Sequence, residues 1–293
     1  MPIALIVHGG AGLINPERAD LAQAGCKEAA LAGWQILQAG GSALDAVEAA
    51  VRSLEDNPNY NAGTGACLTS DGRIELDAGL MDGHTLDVGA IAGIELIKNP
   101  ISLARKVLES AHVLLVSKGA QQFAQEHGIS QCTIQGLMTE RQYKRWLTEH
   151  SNPQGQEKHG TVGAVALDQS GRLAAATSTG GMPNKHPGRV GDSPLVGCGF
   201  YADENAAISC TGDGEDFTRL LIAKRAADFV VQGLHTTPPS QNAAQAAAEA
   251  AIAVLGARAS GVGGLIVVDR LGHVGFAWNS QHLARAYILE GIE

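Results

Sequence analysis

The stretch E-K-H-G-T-V-G-A-V-A-L-D at residues 157–168 joins two unlike kinds of chain. Up to Gly160 the sequence is polar and irregular. From Thr161 it alternates small, β-branched and aliphatic residues, the pattern of a buried strand. Residues 148–161 carry no large aliphatic or aromatic side chain, and S-N-P-Q-G-Q-E-K-H-G reads as an exposed flexible linker over about 148–160. Order begins abruptly, on a threonine.

Downstream, T-V-G-A-V-A-L-D, the turn Q-S-G and R-L-A-A-A-T-S-T predict a hairpin. Strands are expected at 195–201 and 207–210, and helices at 215–231 and 242–255. A closing hairpin, G-L-I-V-V-D-R-L-G-H-V-G-F-A-W-N, precedes a last segment at 285–289. Upstream, a first strand at 3–7 runs into H-G-G-A-G, and a helix over 16–38 stops at Gly40-Gly41. Ser42 opens a second helix with Asp45 three residues on, and Leu44, Val47, Val51 and Leu54 share one face until Pro58 ends it. Runs 66–78 and 85–94 read as strands with D-G turn signals, and helices follow at 100–109 and 119–127. Strands joined by hairpins, with helices in groups, predict an α/β protein of the α+β type. Its sheets are largely antiparallel and lie between helical layers, which excludes a doubly wound parallel sheet. Residues 1–160 and 161–293 each lack the means to cover both faces of their own sheet, so the two halves read as one folded domain.

The 293 residues carry a net charge of −9, with 45% hydrophobic, 17% charged and only 4% aromatic residues and 37 glycines. An acidic chain without a basic run argues against nucleic-acid and anionic-membrane partners. No segment approaches the roughly 20 apolar residues of a membrane span, and M-P-I-A-L-I-V-H has too short an apolar run for a signal peptide, so a cytoplasmic protein is expected. Cys26, Cys67, Cys132, Cys198 and Cys210 are scattered without a C-x-x-C pair and read as free thiols. No H-E-x-x-H occurs, which disfavours a transition-metal hydrolase.

H-G-G-A-G is neither G-x-G-x-x-G nor a P-loop, the chain has no G-x-S-x-G elbow, and G-D-S at 191–193 is followed by Pro194. Thr161 is different. A threonine hydroxyl needs an adjacent base, and the residue's own α-amine, titrating near ~7.7–8.0, supplies one once the Gly160–Thr161 bond is cut. An ordinary strand threonine after a linker is the commoner meaning of a lone G-T. In P-G-R-V-G-D-S-P, however, Arg189 offers a fork for a carboxylate and Asp192 an acceptor for an ammonium, the two halves of a free α-amino acid head; a local surface pair is the alternative. C-T-G-D-G-E then passes from strand to helix, where hydroxyl and N–H groups can stabilise an oxyanion.

These motifs resemble, in order and over the whole chain, the plant-type (type III) L-asparaginases, or isoaspartyl peptidases, of the N-terminal nucleophile hydrolase superfamily. The resemblance is carried by H-G-G-A-G, L-E-D-N-P-N-Y-N-A-G-T-G, L-M-D-G, H-G-T-V-G-A-V-A-L-D, T-S-T-G-G, P-G-R-V-G-D-S-P and C-T-G-D-G-E. It implies a four-layer αββα sandwich, self-cleavage between Gly160 and Thr161, and association into an (αβ)2 dimer. It makes Thr161 the nucleophile, Thr179 its polarising partner, and Thr211 with the N–H of Gly212 the oxyanion hole. Arg189, Asp192 and Gly214 would hold the substrate head group, with Thr211 and Gly212 also touching substrate. It implies a structural sodium ion on the main-chain carbonyls of Leu54, Glu55, Asn57, Tyr60, Ala62 and Thr64, and no cofactor for catalysis. The substrates implied are small molecules, asparagine and β-aspartyl dipeptides. Related glycosylasparaginases and threonine aspartases usually place Asp before the threonine, where this chain has Gly160. A non-enzymatic descendant would be expected to have lost Thr161, Thr179 or the Arg189/Asp192 pair.

Overall fold

The hairpin expected after Thr161 is present. Strands Val162–Leu167 and Leu173–Thr179 pair antiparallel with Val162 opposite Ser178. Asp168 closes their turn by accepting the Ser170 and Arg172 N–H groups on Oδ1 at 2.9 and 3.0 Å. The computed structural model describes residues 2–12, 16–151, 160–236 and 240–291. In chain order the elements are β1 (Ala4–Gly12), α1 (Pro16–Gln38), α2 (Ala43–Asp56), β2 (Leu76–Asp82), β3 (Val88–Ile94), α3 (Pro100–Leu108), β4 (Leu114–Val116), α4 (Ser117–Glu126), α5 (Ile134–Leu137) and α6 (Glu140–Ser151). After Thr161 come β5 (Val162–Leu167), β6 (Leu173–Thr179), β7 (Phe200–Ala202), β8 (Ala206–Gly212), α7 (Gly214–Leu220), α8 (Ile222–Leu234), α9 (Ala243–Arg258), β9 (Gly263–Asp269), β10 (Val274–Trp278) and β11 (His282–Leu289).

Among the described residues the strands form two sheets, ordered β11-β1-β5-β6-β2-β3-β4 and β10-β9-β8-β7, antiparallel except for β3 beside β4. The period-two alternation of strand side chains sorts the core into three slabs. Leu5, Val7, Ala164 and Ala176 turn outward against α1, α2 and α3. Ala206, Ile208, Leu265 and Val267 turn outward against α8 and α9. Ala4, Ile6, Val165, Ala175, Ala207 and Ile266 turn inward and pack the sheets on each other. Three apolar slabs require four layers, which is the αββα sandwich. The larger sheet interleaves strands from before Thr161 (β1, β2, β3, β4) with strands from after it (β5, β6, β11): β1 lies between β11 and β5, and β2 beside β6. No helix among the described residues is long and apolar enough to cross a membrane.

Several local expectations need correction. The polar stretch does not begin at 148: α6 runs to Ser151, held by Lys144–Glu140 and Arg145–Glu149 pairs one turn apart. Residues 152–159, the rest of the expected linker, lie outside the described residues. The helix expected over 215–231 is two helices, divided at Leu221 with φ +51°. Tertiary contacts cause the break, because Ala223 and Lys224 donate their N–H groups to Cys198 and Gly197 instead of continuing α7. The strand expected at 195–201 is confined to β7, since Leu195 to Asp192 and Cys198 to Leu195 N–H bonds fold residues 192–198 into turns. In the run 66–78, D-G at 71–72 makes a turn closed by Thr69 and Arg73, and extended pairing starts only at Leu76. Ser42 does cap α2 as expected, its Oγ accepting the Asp45 N–H at 3.1 Å.

Candidate active site

Antiparallel register brings the first two candidates together. One step beyond the Val162–Ser178 pair, Thr161 lies opposite Thr179. Both belong to the inward-facing set, and Thr161 Oγ1 donates to Thr179 Oγ1 at 3.0 Å. Thr179 Oγ1 also accepts the Gly181 N–H at 3.0 Å, so it is an acceptor oriented on the Thr161 proton. Thr161 is buried to 7% exposure.

The bond before it is gripped on both sides. The Gly160 carbonyl accepts the Asn61 N–H at 3.2 Å. A side chain at 160 would meet Asn61 Cβ at 2.6 Å, and one at Gly10, whose φ is +106°, would come within 2.8 Å of Gly160 Cα. Asn61 further donates from Nδ2 to Gly181 O at 2.6 Å and accepts the Cys67 N–H on Oδ1 at 2.8 Å, tying this loop to the turn after Thr179. Asn61 is a residue that the sequence reading did not single out. It sits inside the quoted L-E-D-N-P-N-Y-N-A-G-T-G motif, and its role is visible only through contacts about a hundred residues away.

A narrow cleft is lined by Thr161, Thr179, Arg189, Asp192 and Gly212, together with Gly181, Met182, Gly191 and Ser193. Thr211 and Gly214 adjoin it without lining it. Thr211 Oγ1 accepts the Ala11 N–H at 3.2 Å, which leaves its own proton to donate. Arg189 is not idle in the empty cleft: its Nε and Nη2 hold Glu215 at 2.9 and 2.7 Å. That pairing uses the side-on edge of the guanidinium and leaves the end-on edge, including Nη1, for a second carboxylate. Asp192 is 3% exposed and its Oδ2 has no hydrogen-bond partner among the described residues. Burial pushes its carboxyl up to about 7, against the pull of the Asp192 main chain and of Arg189. Gly214 separates the two charged groups, and a Cβ there would lie 2.9 Å from Asp192 Oδ1 and 3.0 Å from Arg189 Nη2.

The family model described as Asparaginase matches residues 1–292. The chain belongs to the asparaginase family. A plant-type L-asparaginase of Thermococcus kodakarensis is 46% identical over 99% of this chain and 97% of its own length. Isoaspartyl peptidase/L-asparaginases of Rattus norvegicus and Danio rerio are each 43% identical, over 99% and 98% of this chain and 87% and 92% of their own. These relatives are hydrolases by name, and the four-layer sandwich is the one expected of asparaginases of this kind.

In this asparaginase, His8 lies between the sheets beside Thr161, with Nε2 2.9 Å from Ser209 Oγ, which is 2.6 Å from Thr177 Oγ1. Burial drives the His8 ring down to about 3, so it is neutral and serves the inter-sheet network. The loop after α2 is tightly wound through its main chain. Gly63 and Gly65 adopt φ of +51° and +95°, and a Cβ at Gly63 would crowd Glu55 O at 2.6 Å and Lys98 O at 2.7 Å. The carbonyls of Leu54, Glu55 and Asn57 each already accept one N–H, from Asn57, Thr64 and Tyr60, and each keeps a second lone pair. Among the described residues no group of three or more His, Cys, Asp or Glu side chains is arranged to hold a metal ion.

Proposed function

We propose that this asparaginase is a threonine hydrolase, activated by its own cleavage at Gly160–Thr161, that acts on the side-chain amide of L-asparagine and on β-aspartyl dipeptides. The observation that carries this is Asp192. A buried carboxylate with an oxygen unpartnered among the described residues, and an arginine with one open edge, flank Gly214, where even a Cβ would crowd both; the pair suits a ligand bearing both an ammonium and a carboxylate. Both substrate classes leave the α-amino and α-carboxyl groups free and place the scissile carbonyl on the side chain. An ordinary peptide presents neither charge.

In the self-cleavage, Thr161 Oγ1 forms a bond to the Gly160 carbonyl carbon, the C–N bond breaks, and water hydrolyses the resulting ester. The Asn61 N–H stands where the oxyanion develops. In turnover, the freed amine takes the Thr161 hydroxyl proton as oxygen adds to the substrate carbonyl. That proton leaves with ammonia or the peptide amine, and water then releases aspartate from the β-aspartyl ester. Thr179 orients the hydroxyl, and Thr211 and the Gly212 N–H serve the oxyanion. Arg189, Asp192 and Gly214 hold the head group. A glycosylasparaginase-like or threonine-aspartase-like specificity is disfavoured by the packing of Gly160 on Asn61, which has no space for the Asp usual there.

Sodium on the carbonyls of Leu54, Glu55, Asn57, Tyr60, Ala62 and Thr64 would brace the loop that carries Asn61; exchanging sodium for choline should then lower the melting temperature. The family resemblance supports an (αβ)2 assembly, to be read from the sedimentation mass. Five free thiols, four of them buried, agree with a cytoplasmic setting. N-terminal sequencing of the fragments on a denaturing gel, with a panel of asparagine, β-aspartyl dipeptides and glycosylated asparagine, tests the function. An intact chain that turns over β-aspartyl dipeptides overturns it.

A further inference from the structure

Behind Thr179 lies a charge pair that neither the head-group receptor nor the oxyanion site uses. Asp77 on β2 is opposite Thr179, which is opposite Thr161, so the three side chains form one row across β2, β6 and β5 on the inward face. Asp77 is fully buried and Lys185 is 4% exposed, with Nζ 4.0 Å from Asp77 Oδ2. Asp77 Oδ1 accepts the Gly93 N–H at 2.8 Å, and Lys185 Nζ donates to Glu75 O at 3.1 Å. The ammonium fills the hollow under Gly181: with φ +81° there, a Cβ would lie 2.8 Å from Nζ. Gly181 is the residue whose N–H fixes the Thr179 hydroxyl. A buried lysine therefore reaches the nucleophile through Gly181 and Thr179, three contacts in all, and lies 4.0 Å from one carboxylate.

We infer that Lys185, balanced by Asp77, is a positioning residue for the nucleophile: it seats the turn that orients Thr179, and its charge favours the neutral, proton-accepting form of the Thr161 amine. A positive charge held near an amine in a poorly solvated site disfavours a second positive charge. Asp77 limits that effect, so the two side chains act on the amine in opposite senses. The other charged or titratable groups around the row are His8 from β1, Cys67 and the Arg73–Glu75 pair from the preceding loop, and Arg189 and Asp192 with Glu215 behind them. Glu55 lies across β6, where its Oε1 accepts from Ser178 Oγ at 2.6 Å. His8 is held neutral by burial. Asp192 is covered by the substrate ammonium in the Michaelis complex, so the pH dependence of kcat isolates the amine.

The inference rests on the function proposed above, and the two fail separately. The test measures kcat against pH, with a β-aspartyl dipeptide, on self-cleaved Lys185→Met, Asp77→Asn and the double variant. The acidic limb should move up by about one unit in Lys185→Met and down by about one unit in Asp77→Asn. It should return near the parent position in the double variant, and Lys185→Arg should leave it in place. Limbs that stay put, or single variants displaced in the same direction, overturn the inference. If Lys185→Met does not accumulate, the near-isosteric Asp77→Asn decides under the same criterion. Turnover that survives Thr161→Ala instead sinks the underlying function, whatever the limbs do.

Discussion

The two sides of the cleft are built on different terms. On the nucleophile side, strand register alone sets Thr161 against Thr179, and each hydroxyl has a partner within the chain. On the side proposed to bind the substrate head group, Arg189 and Asp192 come from a loop of turns, and a buried carboxylate oxygen has no partner among the described residues. A finished side is what an intramolecular reaction needs, because the Gly160–Thr161 bond is already in place. An unfinished side is what a ligand needs, because the missing partner must arrive from solution.

Substitutions therefore separate the two reactions. The largest effect belongs to Thr161→Ala, which should leave the chain as one band on a denaturing gel and lower turnover by at least about 10⁴-fold. A cleaved band at the usual size would break the comparison at its strongest point. Asp192→Asn should still cleave itself yet lose about 10²- to 10³-fold in kcat/KM, since it removes one member of a buried charge pair.

Asp192 also makes the receptor pH-dependent. The carboxyl rises from 3.8 unfolded to about 7 folded, so the folded state holds its proton through that window. Stability is lost as pH climbs through it. Asp192→Asn should accordingly be more stable than the parent by up to about 4 kcal/mol at pH 8, and gain nothing at pH 4. In the parent, KM for β-aspartyl dipeptides should fall as pH rises through 7, where the carboxylate forms to meet the substrate ammonium. A KM flat across that range would show that Asp192 is not the ammonium site.

Gly160→Ala sharpens the comparison from the other side. Its methyl would meet Asn61 Cβ at 2.6 Å, so self-cleavage measured on a gel time course should slow by roughly ten- to a hundredfold. The cut enzyme should turn over normally, because residue 160 is then no longer bonded to the nucleophile. Glu215→Gln should have the smallest effect, a change in KM of less than about fivefold, since Glu215 is half exposed and holds only the side-on edge of Arg189.

How much of this the sequence disclosed follows the range of the forces involved. The Thr161 hairpin, the Ser42 cap and the largely antiparallel sheets rest on local alternation, turn residues and capping, and were legible. Helix α6 was not, because its polar surface is held by pairs one turn apart and by Trp146 donating to Thr69 O at 2.9 Å, neither of which leaves an apolar stripe. In the site, Arg189 and Asp192 declared themselves by charge and spacing. The Arg189–Glu215 fork did not, since the partner arrives from another segment. Asn61 and the Lys185–Asp77 pair escaped for a similar reason: they act through contacts made only when β2, β6 and the loop before β2 are assembled.

The interleaving of strands in the larger sheet has a consequence for the life of the molecule. While the chain is continuous, β1, β5 and β6 are tethered, and finding one another is a unimolecular search. A chain cut before Thr161 keeps its sheet only because strands of the two pieces pair with each other at β11–β1, β1–β5 and β6–β2. Once melted, the pieces would have to meet again by diffusion, so recovery after heating should depend on concentration, whereas that of the uncut Thr161→Ala chain should not. Activation would thus exchange a protein that can refold for one that is assembled once.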